Sequence, residues 1–275
     1  MGSAETLNNL AVDGPHLNTV VYAGTGPYCL LVHGAVASRS YWYDNIDELS
    51  TVCRPVVVEL WGHGNSPSPV DAGRYEPDAY VEEFEYLRQD LGADGWFTIG
   101  QSMGAALTLR YGLAHPERVL GQIITNSNST FTEAAVWMQR NHDFVVPHAE
   151  RVEAEGPGVL RDTWFNPSRS RRLSERLRER LAVEFDQHTA PGIAATLRIT
   201  NATLPLGDRV MAITRPTLLT NGTLEPGFQK LLESVRRIPG LEEVEINGGH
   251  AVNGHDPDAW NRAVVGFIRR LTAGS

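Results

Sequence analysis

The chain of 275 residues has little lysine and no long hydrophobic segment. Lys230 is the only lysine among 24 basic residues, which we interpret as the codon bias of a GC-rich bacterial genome. Because acidic residues number 33, the formal net charge is −9, and this argues against general nucleic-acid binding. No run of about 18 apolar residues occurs, so the sequence predicts no membrane-spanning helix.

Cysteine is also scarce. Cys29 and Cys53 both lie in or beside apolar segments, which predicts small buried thiols and not a disulfide. Residues 1–9 lack a basic segment followed by an apolar one, so we predict no signal peptide and a cytoplasmic location. The expected partner is a small-molecule substrate. No nucleic acid or membrane is expected as a partner, and a homodimer is left open.

Short apolar segments alternate with helical segments along most of the chain. Buried strands are predicted at residues 28–32, 54–60, 96–99, 119–125, 216–222 and 241–246, with an edge strand at 17–23. Helices are predicted at residues 39–49, from 77 onward, and at 104–113, 227–237 and 257–271. This alternation predicts an α/β fold with a mostly parallel, twisted sheet flanked by helices.

The alternation stops between residues 127 and 214, where no strand is recognisable. Amphipathic helices are expected there from residue 134 and over residues 171–185, where leucine or phenylalanine recurs every fourth position. We therefore predict a core of residues 1–126 and 215–275 with an inserted helical cap at 127–214. Four apolar residues of this cap are candidates for substrate binding, although they could equally pack the cap on the core: Trp137, Met138, Trp164 and Phe165.

Residues 100–104 read Gly-Gln-Ser-Met-Gly and lie directly between a predicted strand and a predicted helix. A serine in such a sharp turn has an exposed hydroxyl, and the glycines at 100 and 104 fit because a side chain there would clash. The adjoining helix N-terminus favours an anionic intermediate. Ser102 is therefore the candidate nucleophile.

A nucleophilic serine needs a general base and a group that orients the base, and both should follow the carboxyl ends of parallel strands. The loop after the last predicted strand supplies His250, and the loop after the preceding strand supplies Glu225. The chain order of serine, acid and histidine is one of the known orders. Asp208 and Asp256 are lesser candidates for the acid, since one precedes its strand and the other follows the histidine.

Five motifs in this order make the chain resemble the α/β-hydrolase superfamily over roughly residues 17–271. They are His33-Gly34, Gly62-His63-Gly64-Asn65-Ser66, Gly100-Gln101-Ser102-Met103-Gly104, Pro216 through Gly222 with Glu225, and Gly249-His250-Ala251. The resemblance implies that Ser102 attacks, that His250 is the base and that Glu225 orients it. It also implies an oxyanion hole formed by the backbone N–H groups of Ala35 and Met103. Glutamate replaces the aspartate more common at the acid position, so its longer side chain must bend to reach.

The expected function is hydrolysis of a carboxylic ester or lactone of a small, partly apolar substrate through an acyl-enzyme. The same residues could instead perform carbon–carbon bond hydrolysis or a lyase or cyclase step of secondary metabolism, and a receptor that only binds a ligand is a third hypothesis. No metal-ligand spacing is recognisable, so no metal and no cofactor are predicted. The remaining histidines are expected to be structural at 33 and 63, and to face solvent or the cap wall at 142, 148 and 188.

Overall fold

The predicted strands assemble into one sheet of eight strands in the computed structural model, which describes residues 4–7 and 16–273. The strands are β1 (Ala4–Leu7), β2 (Thr19–Tyr22), β3 (Tyr28–Val32), β4 (Arg54–Val58), β5 (Trp96–Gly100), β6 (Val119–Thr125), β7 (Thr217–Gly222) and β8 (Glu242–Ile246). Their order across the sheet is β1-β2-β4-β3-β5-β6-β7-β8. The pairs β1/β2 and β2/β4 are antiparallel and the other pairs are parallel, as the predicted fold class requires.

Helices cover both faces of this sheet. They are α1 (Ile46–Leu49), α2 (Pro77–Asp90), α3 (Met103–Ala114), α4 (Asn128–Phe131), α5 (Ala134–Arg140), α6 (Val146–Glu155), α7 (Glu175–Phe185), α8 (Ala190–Ala195), α9 (Pro226–Gln229), α10 (Leu232–Val235), α11 (Val252–His255) and α12 (Pro257–Thr272).

Alternate residues of each central strand point to opposite faces, so both faces of the sheet carry apolar side chains. On β3, Leu31 packs in a cluster with α1 and α12, whereas Leu30 packs in a second cluster with α2 and α3. The near-continuous apolar character of these strands follows from burial on both sides. Both thiols, of Cys29 and Cys53, are free and buried, as predicted.

Several predicted elements differ from the structure; the helix predicted at 227–237, for example, is two short helices, α9 and α10. Residues 17–23 were predicted as an edge strand, but β2 is the second strand because β1 pairs outside it. The helix predicted at 39–49 is broken into a 3₁₀ turn, Arg39–Trp42, and the short α1. Asn45 lies at the break, and its buried amide donates to Asn261 Oδ1 at 2.9 Å, a contact that no local pattern predicts.

Residues 126–216 connect β6 to β7 and contain helical segments without a strand. Apolar side chains from α6, α8 and neighbouring residues form a separate cluster that includes Val36, whereas leucines of the segment 173–181 pack in the cluster with α1 and α12. The domain boundaries at 127 and 214 stay a prediction. Among the described residues, no helix is both long and apolar enough to cross a membrane.

Candidate active site

Ser102 occupies the sharp turn between β5 and α3. Its backbone φ of 55° and ψ of −116° lie in a region that non-glycine residues rarely adopt. A Cβ at Gly104 would collide with the carbonyl oxygen of Val32, and one at Gly100 would collide with the backbone of α3. The two flanking glycines therefore allow the strand, the turn and the helix to approach closely enough to hold this conformation.

His250 and Glu225 meet at the carboxyl ends of β7 and β8. The Nδ1 atom of His250 lies 3.0 Å from Oε1 of Glu225 and 3.1 Å from Oε2. The His250 side chain is 45% exposed and that of Glu225 is 16% exposed, so the carboxylate is the more deeply held partner. Gln101, next to Ser102, donates from Nε2 to the carbonyl oxygen of His250 at 3.2 Å, which ties the histidine loop to the serine turn.

Two asparagine amides from the loop after β6 complete the environment of Glu225. Asn126 Nδ2 donates to Oε2 at 2.9 Å, and Asn128 Nδ2 donates to Oε1 at 2.6 Å. Burial alone raises the pKa of the Glu225 carboxyl, but hydrogen bonds from His250 and the two amides outweigh it, and the pKa is lowered. Glu225 is therefore a carboxylate near neutral pH, which can accept a hydrogen bond from Nδ1 of His250.

The loop after β3 approaches the serine from the other side. A Cβ on Gly34 would lie 3.0 Å from the Cβ of Ser102, so only glycine leaves the backbone this close to the hydroxyl. Ala35 lines the same cavity as Ser102. Met103 follows Ser102 in the chain and is the first residue of α3. In the described part of the chain, the backbone N–H groups of Ala35 and Met103 donate to no protein acceptor.

A cavity of about 530 Å³ joins these elements beneath the cap. Its wall contains Ser102, His250, Glu225 and Ala35 from the core and the segment 163–170 from the cap. Trp164 and Phe165 both line it, with their rings stacked at 3.8 Å between centroids. Trp164 is 72% exposed, so it can reorganise around a bound molecule.

The other two cap candidates lie elsewhere. Trp137 does not line this cavity, and its Nε1 donates to the carbonyl oxygen of Asn201 at 2.6 Å within the cap. Met138 is 59% exposed on the same helix, α5, and is likewise absent from the cavity wall. Their role as substrate-binding residues stays a prediction, and helical spacing alone cannot say which side of α5 faces the core.

A larger cavity of about 770 Å³ lies between β2, α1 and α7. Its wall includes Arg39, Tyr43 and Glu184 but none of Ser102, Glu225 and His250. Size therefore does not identify the reactive site here. The grouping of a strained serine with a histidine–carboxylate pair makes the smaller cavity the candidate site.

Three buried histidines form a cluster beside the loop after β3. The ring centroids of His33 and His63 are 5.1 Å apart, and those of His63 and His188 are 5.2 Å apart. Burial lowers the pKa of His33 and of His188 to about 4, and lowers that of His63 well below its usual range. All three are therefore neutral near pH 7.

Backbone hydrogen bonds to ring nitrogens fit the structural role predicted for His33 and His63. His33 Nε2 accepts from the N–H of Leu60, and His63 Nε2 accepts from the N–H of Val36, both at 3.1 Å. His188 was predicted to face solvent or line the cap wall, but it is buried in this cluster. His142 is exposed and pairs with Asp143.

Sequence reasoning missed several residues of the site. Asn126 and Asn128 were not among the predicted site residues, although an amide after a parallel strand can donate to a carboxylate. His255 also lines the cavity: its Nδ1 accepts from the N–H of Gly249, and its Nε2 lies 2.8 Å from Ser170 Oγ. Within residues 4–7 and 16–273, no group of three or more His, Cys, Asp or Glu side chains is arranged so that it could hold a metal ion.

The chain belongs to the α/β-hydrolase fold family, whose model matches residues 29–257. A putative 2-succinyl-6-hydroxy-2,4-cyclohexadiene-1-carboxylate synthase from Bacillus subtilis is 24% identical over 272 residues, which are 95% of this chain and 94% of that protein.

Solved structures show the same fold. The enol-lactonase from Burkholderia xenovorans superposes with a TM-score of 0.77 at 23% identity, covering 94% of this chain and 98% of its own. A thermophilic esterase from Thermogutta terrifontis superposes with a TM-score of 0.74 at 22% identity, covering 98% and 99%. Distant relatives of this chain thus include a lactonase, an esterase and a synthase.

Proposed function

We propose that this protein is a serine hydrolase that cleaves a carboxylic ester or lactone through an acyl-enzyme. The observation that carries the proposal is the pairing of His250 Nδ1 with Glu225, in one cavity with a serine whose backbone is strained. Nucleophile, base and orienting acid are then present on three neighbouring loops.

In the first step Ser102 Oγ attacks the carbonyl carbon of the substrate while Nε2 of His250 takes the hydroxyl proton. The Nδ1–H of the resulting imidazolium is held by the Glu225 carboxylate, which stabilises the new positive charge. The imidazolium then gives its proton to the leaving alkoxide as the carbon–oxygen bond breaks. Water repeats the sequence on the acyl-enzyme and releases the acid, with His250 again the base.

Negative charge develops on the carbonyl oxygen in both steps. The N–H groups of Ala35 and Met103 are the donors that we assign to it, because both border Ser102 and neither is used within the described structure. Donors fixed before the reaction gain strength as the oxygen becomes charged, so they lower the barrier more than they tighten substrate binding.

The cavity suits a small substrate with an apolar portion. Its volume of about 530 Å³ lies within the range of small-molecule sites. Trp164 and Phe165 present a stacked aromatic surface, and Arg169 is the basic residue of the described wall. These features support an ester or lactone whose acyl or alcohol part carries an aromatic or aliphatic ring. The enol-lactonase and the esterase among the structural relatives are consistent with this class.

The direct test is reaction with a small fluorophosphonate, followed by intact-mass analysis of wild type and Ser102→Ala. We expect one adduct on wild type and none on the variant, with hydrolysis of p-nitrophenyl acetate lost in parallel and the far-UV circular dichroism unchanged. Ser234→Ala is the control, because Ser234 lies on α10 and not in the wall of the cavity that contains Ser102. Turnover that persists in Ser102→Ala would contradict the mechanism.

A non-hydrolytic reaction at the same residues is the second candidate. The observation that favours it is the relative named as a synthase, which matches 95% of this chain. Turnover in ¹⁸O-labelled water separates the two, because hydrolysis places the label in the carboxylate product and an elimination or cyclisation does not. Carbon–carbon bond hydrolysis also incorporates the label, and is recognised by the bond that is missing in the products.

A further inference from the structure

Val36 has an unusual backbone in the loop that carries Ala35. Its φ is +56°, a left-handed value that a β-branched residue adopts only when its surroundings enforce it. The side chain is buried in the apolar cluster of the cap, together with Phe185, Ile193 and Leu197. The residue beside the proposed oxyanion donor is therefore anchored in the cap and not in the sheet.

Hydrogen bonds fix the same peptide groups. The N–H of Val36 donates to His63 Nε2 at 3.1 Å, and its carbonyl oxygen lies 3.3 Å from His188 Nε2. His188 Nδ1 in turn accepts from the N–H of Gly64 at 3.1 Å. Since Nδ1 accepts, the neutral ring carries its proton on Nε2 and donates to Val36. A cap histidine thus bridges the loop after β3 and the loop after β4.

Glu184, at the end of the cap helix α7, binds the following residues of the loop. Its Oε2 accepts from Ser38 Oγ at 2.5 Å and from the N–H of Ser40 at 3.2 Å, and its Oε1 accepts from Ser40 Oγ at 2.8 Å. Arg39 Nε lies 3.3 Å from the same Oε1. Glu184 is itself buried, and it also lines the larger cavity between β2, α1 and α7.

We propose that Glu184 and His188 are positioning residues, which hold the loop 34–40 so that the N–H of Ala35 points at the oxyanion. The proposal rests on the proposed function of Ser102. Neither side chain lines the cavity that contains Ser102, so neither contacts substrate there. Both act through Val36, Ser38 and Ser40, whose geometry depends on the cap being seated on the core.

A kinetic consequence follows from where these residues act. The Ala35 N–H binds the carbonyl oxygen most strongly when that oxygen is charged, so a displaced loop costs transition-state stabilisation and leaves ground-state binding nearly unchanged. Loss of a complete oxyanion donor costs roughly 10²- to 10³-fold in kcat. A loop that is only loosened still supplies part of the oxyanion stabilisation. We therefore expect kcat to fall by about 10- to 100-fold in Glu184→Ala.

The experiment compares Glu184→Ala and Glu184→Gln with Glu179→Ala, which removes an exposed carboxylate from the same helix. For each we would measure kcat and KM on p-nitrophenyl acetate, and the inhibition constant of phenylboronic acid, which forms an anionic tetrahedral adduct on serine. Glu184→Ala should lose kcat and boronate affinity by similar factors while KM changes less than about threefold. Glu184→Gln retains one acceptor oxygen and should lie between it and wild type.

Each outcome decides the proposal. The proposal is overturned if both Glu184 variants keep the wild-type kcat and boronate affinity. It is also overturned if kcat falls and KM rises by similar factors while boronate affinity is unchanged. If Glu184→Ala does not fold, Glu184→Gln and His188→Gln give the same comparison, with His142→Gln as the exposed cap control. Failure of the proposed function is recognised separately, because wild type itself would then show no fluorophosphonate adduct.

Discussion

Replacing Glu225 by glutamine tests the electrostatic part of the site. The carboxamide keeps the size of the side chain but removes the charge that faces His250 Nδ1 at 3.0 Å. The NH₂ group of the new glutamine also faces an amide or imidazole N–H group, and two donors cannot hydrogen-bond to each other. The unmade hydrogen bond costs about 1–3 kcal/mol of stability. Glu225→Gln should therefore fold, with a reduced free energy of unfolding, and lose most of its activity.

The size of the loss follows from the charge pair formed when His250 is protonated in the transition state. Opposite charges 3.0 Å apart interact by about 5.5 kcal/mol at an effective dielectric constant of 20, and by about 2.8 kcal/mol at 40. The exposure of His250 favours the higher dielectric constant, and the burial of Glu225 the lower. At about 1.36 kcal/mol for each factor of ten, kcat should fall between about 10²- and 10⁴-fold.

The assay is steady-state hydrolysis of p-nitrophenyl acetate, with the rate of fluorophosphonate labelling measured beside it. Glu233→Gln is the control, since it removes an exposed carboxylate from α10 and should match wild type. Glu225→Asp keeps the charge but moves it away from His250 by one methylene, so its kcat should lie between that of Glu225→Gln and that of wild type. The reasoning is refuted if folded Glu225→Gln keeps more than a tenth of the wild-type kcat.

Two further predictions concern pH and the cavity wall. Because the folded pKa of His188 is about 4 and that of an unfolded histidine is near 6.5, the unfolded state binds more protons between these values. The free energy of unfolding should therefore fall as pH drops from about 6.5 to 4, by about 1.4 kcal/mol per pH unit for this residue. Urea titrations at several pH values should give a slope smaller by that amount in His188→Gln, and equal slopes would contradict the burial of a neutral ring. Trp164→Ala should raise KM for aryl esters several-fold, whereas Met138→Ala, on the outer side of the cap, should leave KM unchanged; equal effects would place both residues in the same role.

The nucleophile turn was predictable because it is local. The glycines at 100 and 104 flank Ser102 within one strand–turn–helix unit, and their close approach to neighbouring backbone is what the motif encodes. The approach of Glu225 to His250 was predictable for a different reason. Loops that follow adjacent parallel strands meet at one edge of the sheet, so chain order sufficed to place the two side chains together.

The cap was not predictable in the same way. A helical repeat in α5 identifies apolar positions but not which of them face the core, and neither Trp137 nor Met138 lines the cavity that contains Ser102. Asn126 and Asn128 donate to a carboxylate almost one hundred residues away in sequence, and His188 contacts Val36 across 152 residues. Such contacts carry no periodic signal in the sequence.

The sequence by itself therefore determined the sheet, the serine turn and the order of the candidate acid and base. It did so because these depend on hydrophobic periodicity, on glycine spacing and on the rule that sites lie at the carboxyl ends of parallel strands. Only the tertiary structure decided which cap residues border the cavity and how the loop beside Ser102 is held. Those features depend on how the cap packs against the core, and packing is settled by side chains that meet only after the chain has folded.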